Sequence, residues 1–120
     1  MSKPLALIIE DDPEIANILS ISLKSEFEVE SISDGNAAIT RLTQVVPVLI
    51  VLDLHLPEVS GMDIFARIRS DARLRQTKVI VCSADALRAD VLRSQADLVL
   101  LKPVSPGQLR ELASRMINLS

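Results

Sequence analysis

Aromatic side chains are nearly missing from this chain. Among 120 residues only Phe27 and Phe65 are aromatic, so the core has to be aliphatic. Cysteine occurs once, at Cys82, which excludes a disulfide framework and a cysteine-based metal site. Its place in an apolar run makes it a small core residue. No apolar run approaches the ~20 residues of a membrane helix. The longest, Val45 to Leu52, contains Pro47 and stops at Asp53. The N-terminus carries no signal-peptide pattern, so a cytoplasmic protein without membrane contact is expected. Linkers, low-complexity tracts and internal repeats are also missing. The formal net charge is −3, and the arginines (Arg67, Arg69, Arg73, Arg75, Arg88, Arg93, Arg110 and Arg115 among them) are scattered between acids. That pattern argues against nucleic acid as a direct partner.

What is present is 48% hydrophobic and 24% charged, the balance of a globular protein. The length suits one domain, expected over residues 1–120. Four apolar runs read as strands: Leu5–Ile9, Val48–Leu52, Lys78–Cys82 and Leu98–Leu101. A fifth, around Phe27, Val29 and Ile32, alternates as a strand nearer a sheet edge does. Helical spacing separates them. Ile15, Ile18, Leu19 and Leu23 follow Asp12-Pro13, an N-cap with a first-turn proline. Asp34-Gly35 turns the chain into a short helix with Ala38, Ile39 and Leu42. Leu56-Pro57 and Gly61 break the next loop before Ile64, Phe65 and Ile68. Leu87, Val91 and Leu92 mark a fourth helix. Ser105-Pro106 opens a fifth, with Leu109, Leu112, Ala113, Met116 and Ile117 on one stripe. This alternation predicts an α/β fold: a three-layer, flavodoxin-like (βα)5 sandwich on a parallel five-stranded sheet in the order 2-1-3-4-5.

In such a sheet the strand C-termini converge on one edge, where ligands bind. Glu10, Asp11 and Asp12 follow the first run, Asp53 the third, Ser83 the fourth and Lys102-Pro103 the fifth. Asp12, directly before Pro13, reads as a helix cap. Glu10, Asp11 and Asp53 should gather where their like charges require a cation. Hard oxygen donors of this kind suit magnesium together with a phosphate. Lys102 reads as a positioned point charge for phosphate rather than a snorkelling surface lysine. Ser83 gains meaning only beside Asp53 and Lys102.

Taken in order on these elements, Ile8-Ile9-Glu10-Asp11-Asp12-Pro13, Val51-Leu52-Asp53-Leu54-His55-Leu56-Pro57, Gly61, Ser83-Ala84 and Lys102-Pro103 resemble the receiver domain of two-component response regulators, over residues 4–118. The resemblance implies a magnesium-dependent phosphoprotein of phosphorelay signalling, with Asp53 as the phospho-accepting aspartate. It implies Asp11 as a direct magnesium ligand, Glu10 as an acid holding the metal through water, and the main-chain carbonyl of His55 as a further ligand. Ser83 would bind a phosphoryl oxygen and Lys102 would pair with the phosphoryl group. The phosphodonor would be a sensor histidine kinase or a phosphotransfer protein, and a downstream protein, unnamed by the sequence, would read the signal. A cis peptide before Pro103 is implied as well. The protein would not be an enzyme in the ordinary sense, beyond catalysing its own phosphorylation and dephosphorylation.

Several positions depart from the family pattern. Val99 stands three before Lys102, where an aromatic ring is usual. The stretch from Ser83 to Lys102 is shorter by about one helical turn, ~3–4 residues, so the fourth helix should be short. Gln95-Ala96 replaces the common Gly-Ala. His55 and Asp85 flank the expected phosphoryl position, where side chains often tune hydrolysis in the family. A degenerate receiver acting as a constitutive binding module is the alternative, opposed by the full set of phosphorylation residues. A haloacid-dehalogenase-type phosphohydrolase would carry its nucleophile on the first strand. A flavodoxin would have a hydroxyl- and glycine-rich loop there instead of acids. Whether the chain is a stand-alone receiver or part of a larger protein stays open.

Overall fold

Alternating side chains along three central strands build two separate apolar layers. The computed structural model describes residues 3–118. Its strands are β1 (Leu5–Ile9), β2 (Glu28–Ile32), β3 (Leu49–Asp53), β4 (Lys78–Ser83) and β5 (Leu98–Leu101). All pairings are parallel, in the order β2-β1-β3-β4-β5. Successive residues of a strand face opposite sides. Leu7, Ile9, Ile50, Leu52, Val79 and Val81 therefore enter one layer, while Ala6, Ile8, Leu49, Val51, Ile80 and Cys82 enter the other.

Helices α2 (Gly35–Leu42), α3 (Gly61–Ser70) and α4 (Ala86–Leu92) cover the first layer with Ala38, Leu42, Ile64, Phe65, Ile68 and Leu92. Helices α1 (Pro13–Leu23) and α5 (Pro106–Asn118) cover the second with Leu19, Leu23, Leu109 and Ala113. The expected architecture and strand order are thus realised, β2 and β5 form the edges, and α4 is short at 7 residues.

Each helix begins at a side-chain cap. Asp12 Oδ1 accepts from the N–H groups of Glu14 (2.9 Å) and Ile15 (3.3 Å). Asp34, Ser60, Asp85 and Ser105 do the same for the later helices. These bonds satisfy amides that the first helical turn leaves unpaired. The Lys102–Pro103 peptide is cis, as the resemblance implied.

The apolar stripes are less tidy than their spacing. Ile18 was expected on the buried face of α1, but α1 buries Ala16, Leu19 and Leu23 and leaves Ile18 half exposed. Leu87 and Val91 are exposed too, and α4 buries only Ala89 and Leu92. β3 begins and ends one residue later than the apolar run suggested, so Asp53 is itself the last strand residue, opposite Cys82.

The loop from β3 to α3 is tightly made. Glu58 sits at φ 66°, in the left-handed region, and the Val59 N–H reaches the Pro57 carbonyl at 2.7 Å. Gly61 lies so close to the end of β3 that a Cβ there would collide with the Cα of Leu54 and the carbonyl of Asp53.

Candidate functional site

The C-terminal ends of β1, β3 and β5 place Glu10, Asp53 and Lys102 side by side. Lys102 Nζ lies 3.2 Å from Asp53 Oδ1 and 3.2 Å from Glu10 Oε1. Both acids are buried, and the lysine stem is mostly covered. Asp11 is exposed at the rim, yet its carboxylate joins those of Glu10 and Asp53, with one oxygen from each lying within 4.8 Å of the others. The expected cluster is therefore assembled.

Main-chain donors fix these acids. The His55 N–H donates to Asp53 Oδ1 at 3.2 Å, and the Asp12 N–H donates to Glu10 Oε2 at 3.2 Å. The family resemblance points to the carbonyl of His55 and not to its amide. An aspartate two residues ahead of a free N–H is the local signal that could have found it. The imidazole itself is exposed. Ser83 is buried at the end of β4, but its hydroxyl is engaged with Asp85, accepting from the Asp85 N–H at 3.0 Å and donating to its carbonyl at 3.2 Å.

The electrostatics are those of a site short of positive charge. Burial, with the hydrogen bond and negative charge of Asp53, raises the Glu10 carboxyl to about 7. The Asp12 amide and the Lys102 charge act the other way and are outweighed. Burial alone would lower Lys102, but Asp53 and Glu10 more than offset it and raise it. Burial, then the Asp53 charge, pushes the Cys82 thiol up to about 12, so it stays protonated and unreactive. Three carboxylates share one ammonium. The excess negative charge and the all-oxygen donor set fit a hard divalent cation.

Beside Glu10 and Lys102 opens a cavity of about 470 Å³ with an apolar wall that includes Ile15, Ile18, Pro103, Val104 and Pro106. This wall is not legible in the sequence, because its residues come from α1 and from the segment after β5.

Comparison with known proteins agrees with this geometry. The family model described as the response regulator receiver domain matches residues 6–114. The DNA-binding response regulator MtrA of Mycolicibacterium smegmatis is 35% identical over 107 residues, which cover 86% of this chain and 46% of that protein. The chain thus spans about half the length of such curated relatives. Among solved structures, the BeF3-activated DrrB receiver domain superposes with a TM-score of 0.86 at 23% identity, covering 97% of this chain and 98% of that one. The Mn(2+)-bound form of response regulator Rcp1 superposes with a TM-score of 0.77 at 25% identity, covering 94% and 91%.

Proposed function

Because the chain belongs to the receiver domains of two-component response regulators, we propose that Asp53 is the residue that accepts the phosphoryl group here. Receiver domains are phosphorylated by histidine kinases, and the donor for this one is a phosphohistidine on a sensor kinase or a phosphotransfer protein. The observation that carries the reading is the position of Lys102, 3.2 Å from both Asp53 and Glu10 at the convergent strand ends.

Asp53 Oδ1 already accepts from the His55 amide and lies beside Lys102, so the second oxygen, Oδ2, is the nucleophile. It attacks phosphorus as the P–N bond to the donor imidazole breaks, with the electron pair leaving on the imidazole. Phosphoryl transfer depends on positioning and neutralisation of the equatorial oxygens. Lys102 follows the charge onto the phosphoryl oxygens, and the Ser83 hydroxyl donates to another once it leaves Asp85. Glu10, Asp11, Asp53 and the carbonyl of His55 would hold magnesium. When bound, that ion screens the carboxylates from the incoming anion and shares the phosphoryl charge. DrrB with BeF3 and Rcp1 with Mn(2+) support this assignment by analogy.

The same groups support slow self-phosphorylation from small phosphodonors and self-dephosphorylation, without making the protein a member of an enzyme family. Output runs through a protein partner rather than direct DNA contact, within a single receiver domain over 1–120. No helix among the described residues is long and apolar enough to cross a membrane, and we place the protein in the cytoplasm.

Incubation with acetyl phosphate and magnesium should add one hydroxylamine-labile phosphoryl group to the wild type, read by mass spectrometry. Asp53→Asn should take none, and chelation should prevent labelling. Full labelling of Asp53→Asn would sink the assignment.

A further inference from the structure

Phosphoryl transfer to Asp53 makes no use of the cavity of about 470 Å³ that opens beside the acids. Its size falls within the roughly 300–1,000 Å³ of small-molecule sites, which join an apolar lining to a few polar groups. Ile15 and Ile18 of α1 line it together with Pro103, Val104 and Pro106. Ile18, 49% exposed, belongs to this wall and not to the core. Among the described residues, only Glu10 and Lys102 bring charge to the lining. The balance of that charge selects the ligand. Glu10, Asp11 and Asp53 gather there, and Lys102 is shared between Glu10 and Asp53. Glu10 accepts from Lys102 and from the Asp12 N–H, each at 3.2 Å. A carboxylate can take about four such bonds, so Glu10 has room for a further donor. An anionic head group would instead meet like charges and an ammonium already engaged.

We propose that this cavity binds a small primary aliphatic amine, its chain against Ile18 and Val104 and its ammonium on Glu10, and that the bound amine opposes magnesium. The amine site does not depend on Asp53 being the phosphoacceptor. The opposition rests on the proposed reading of Glu10, Asp11 and Asp53 as the metal site. Both cations draw on the Glu10 carboxylate, so each lowers the affinity of the other by the same factor. The cavity would then let an amphipathic amine slow phosphorylation without touching Asp53.

Calorimetry on the full chain with octylamine, octanol and octanoate tests both halves. In chelator, octylamine should bind about ten-fold more tightly than octanol, through the charge-assisted bond to Glu10, and octanoate more weakly than either. Ile18→Ala shortens the wall and Val104→Phe crowds it. Each should weaken octylamine about three-fold or more and leave magnesium affinity unchanged. No octylamine binding, or binding that both variants leave unchanged, overturns the cavity as the site. Octanol binding as tightly as octylamine overturns the amine assignment and makes the wall a contact for an apolar side chain of a partner protein. Saturating magnesium should weaken octylamine about five-fold or more. If octylamine binds equally with and without magnesium, the opposition is overturned and the amine site stands. If magnesium itself does not bind, the reading of the metal site fails and the opposition with it, and the titrations in chelator alone decide the amine site.

Discussion

Glu10 and Lys102, ninety-two positions apart, form an ion pair at 3.2 Å, with the acid buried and the lysine shared with Asp53. One ammonium cannot balance both carboxylates, and the imbalance has a pH signature. The folded-state pKa of Glu10 is about 7 against 4.5 in the unfolded chain. For a carboxyl raised in this way, its contribution to stability is complete below about 4.5 and is lost as pH rises through 7.

The metal-free protein should therefore lose stability between those pH values because of Glu10, by up to about 3 kcal/mol. Urea denaturation of the wild type and Glu10→Gln across this range measures it. The difference between the two should shrink in saturating magnesium, where the cation takes over the neutralisation. An identical pH slope for both proteins in chelator would count against the account.

The neighbouring acids should separate by role. Asp11→Ala should weaken magnesium binding strongly and Glu10→Ala less. Asp12→Ala should spare the metal but cost about 0.5–2 kcal/mol through the lost bonds to Glu14 and Ile15. Magnesium titration followed by calorimetry, with thermal melts alongside, distinguishes them. Loss of metal binding in Asp12→Ala alone would shift the assignment by one residue.

Two positions between the end of β3 and the start of α3, Gly61 being the first residue of that helix, should respond in opposite directions. Gly61→Ala forces a Cβ into the backbone of Leu54 and Asp53, neither of which can rotate away, so a loss above about 2 kcal/mol is expected. Glu58 at φ 66° is strained, and Glu58→Gly should gain roughly 0.5–1 kcal/mol. Chemical denaturation reads both. Equal tolerance at the two positions would contradict the described backbone.

Val99 is half-buried, opposite Val81, and packs on the layer that contains Leu7 and Leu52. It has no ring to move between inward and outward positions. On adding magnesium and beryllofluoride, amide shifts should be largest at 53–61 and 83–88, and smaller at Val99 and in α5. Val99→Tyr should enlarge the latter. Large wild-type shifts throughout 98–118 would show that valine transmits well.

Much of this was legible before the fold was known, for physical reasons. A strand buried on both faces leaves a continuous apolar run, and the first polar residue after it must lie at the sheet edge. Glu10 and Asp53 are of this kind, while Lys102 ends an apolar run that forms the half-buried edge strand β5. The exposed side chains of Ile18, Leu87 and Val91 were not legible, because helical spacing fixes a stripe but not whether anything covers it. Nor was the partner of Ser83, since a hydroxyl can turn to its own loop as readily as to the site.

The separation of Glu10 from Lys102 has a consequence for biosynthesis. During translation β1 and β3 emerge early, with their buried acids and no lysine to face them, and Lys102 arrives only when β5 closes the far edge beside β4. Burial of Glu10 and Asp53 without Lys102 would leave two carboxylates with no cation beside them, so the sheet is costly to complete before that residue is in place. The ammonium that faces both buried acids is thus supplied only by the residue that follows the last strand of the sheet.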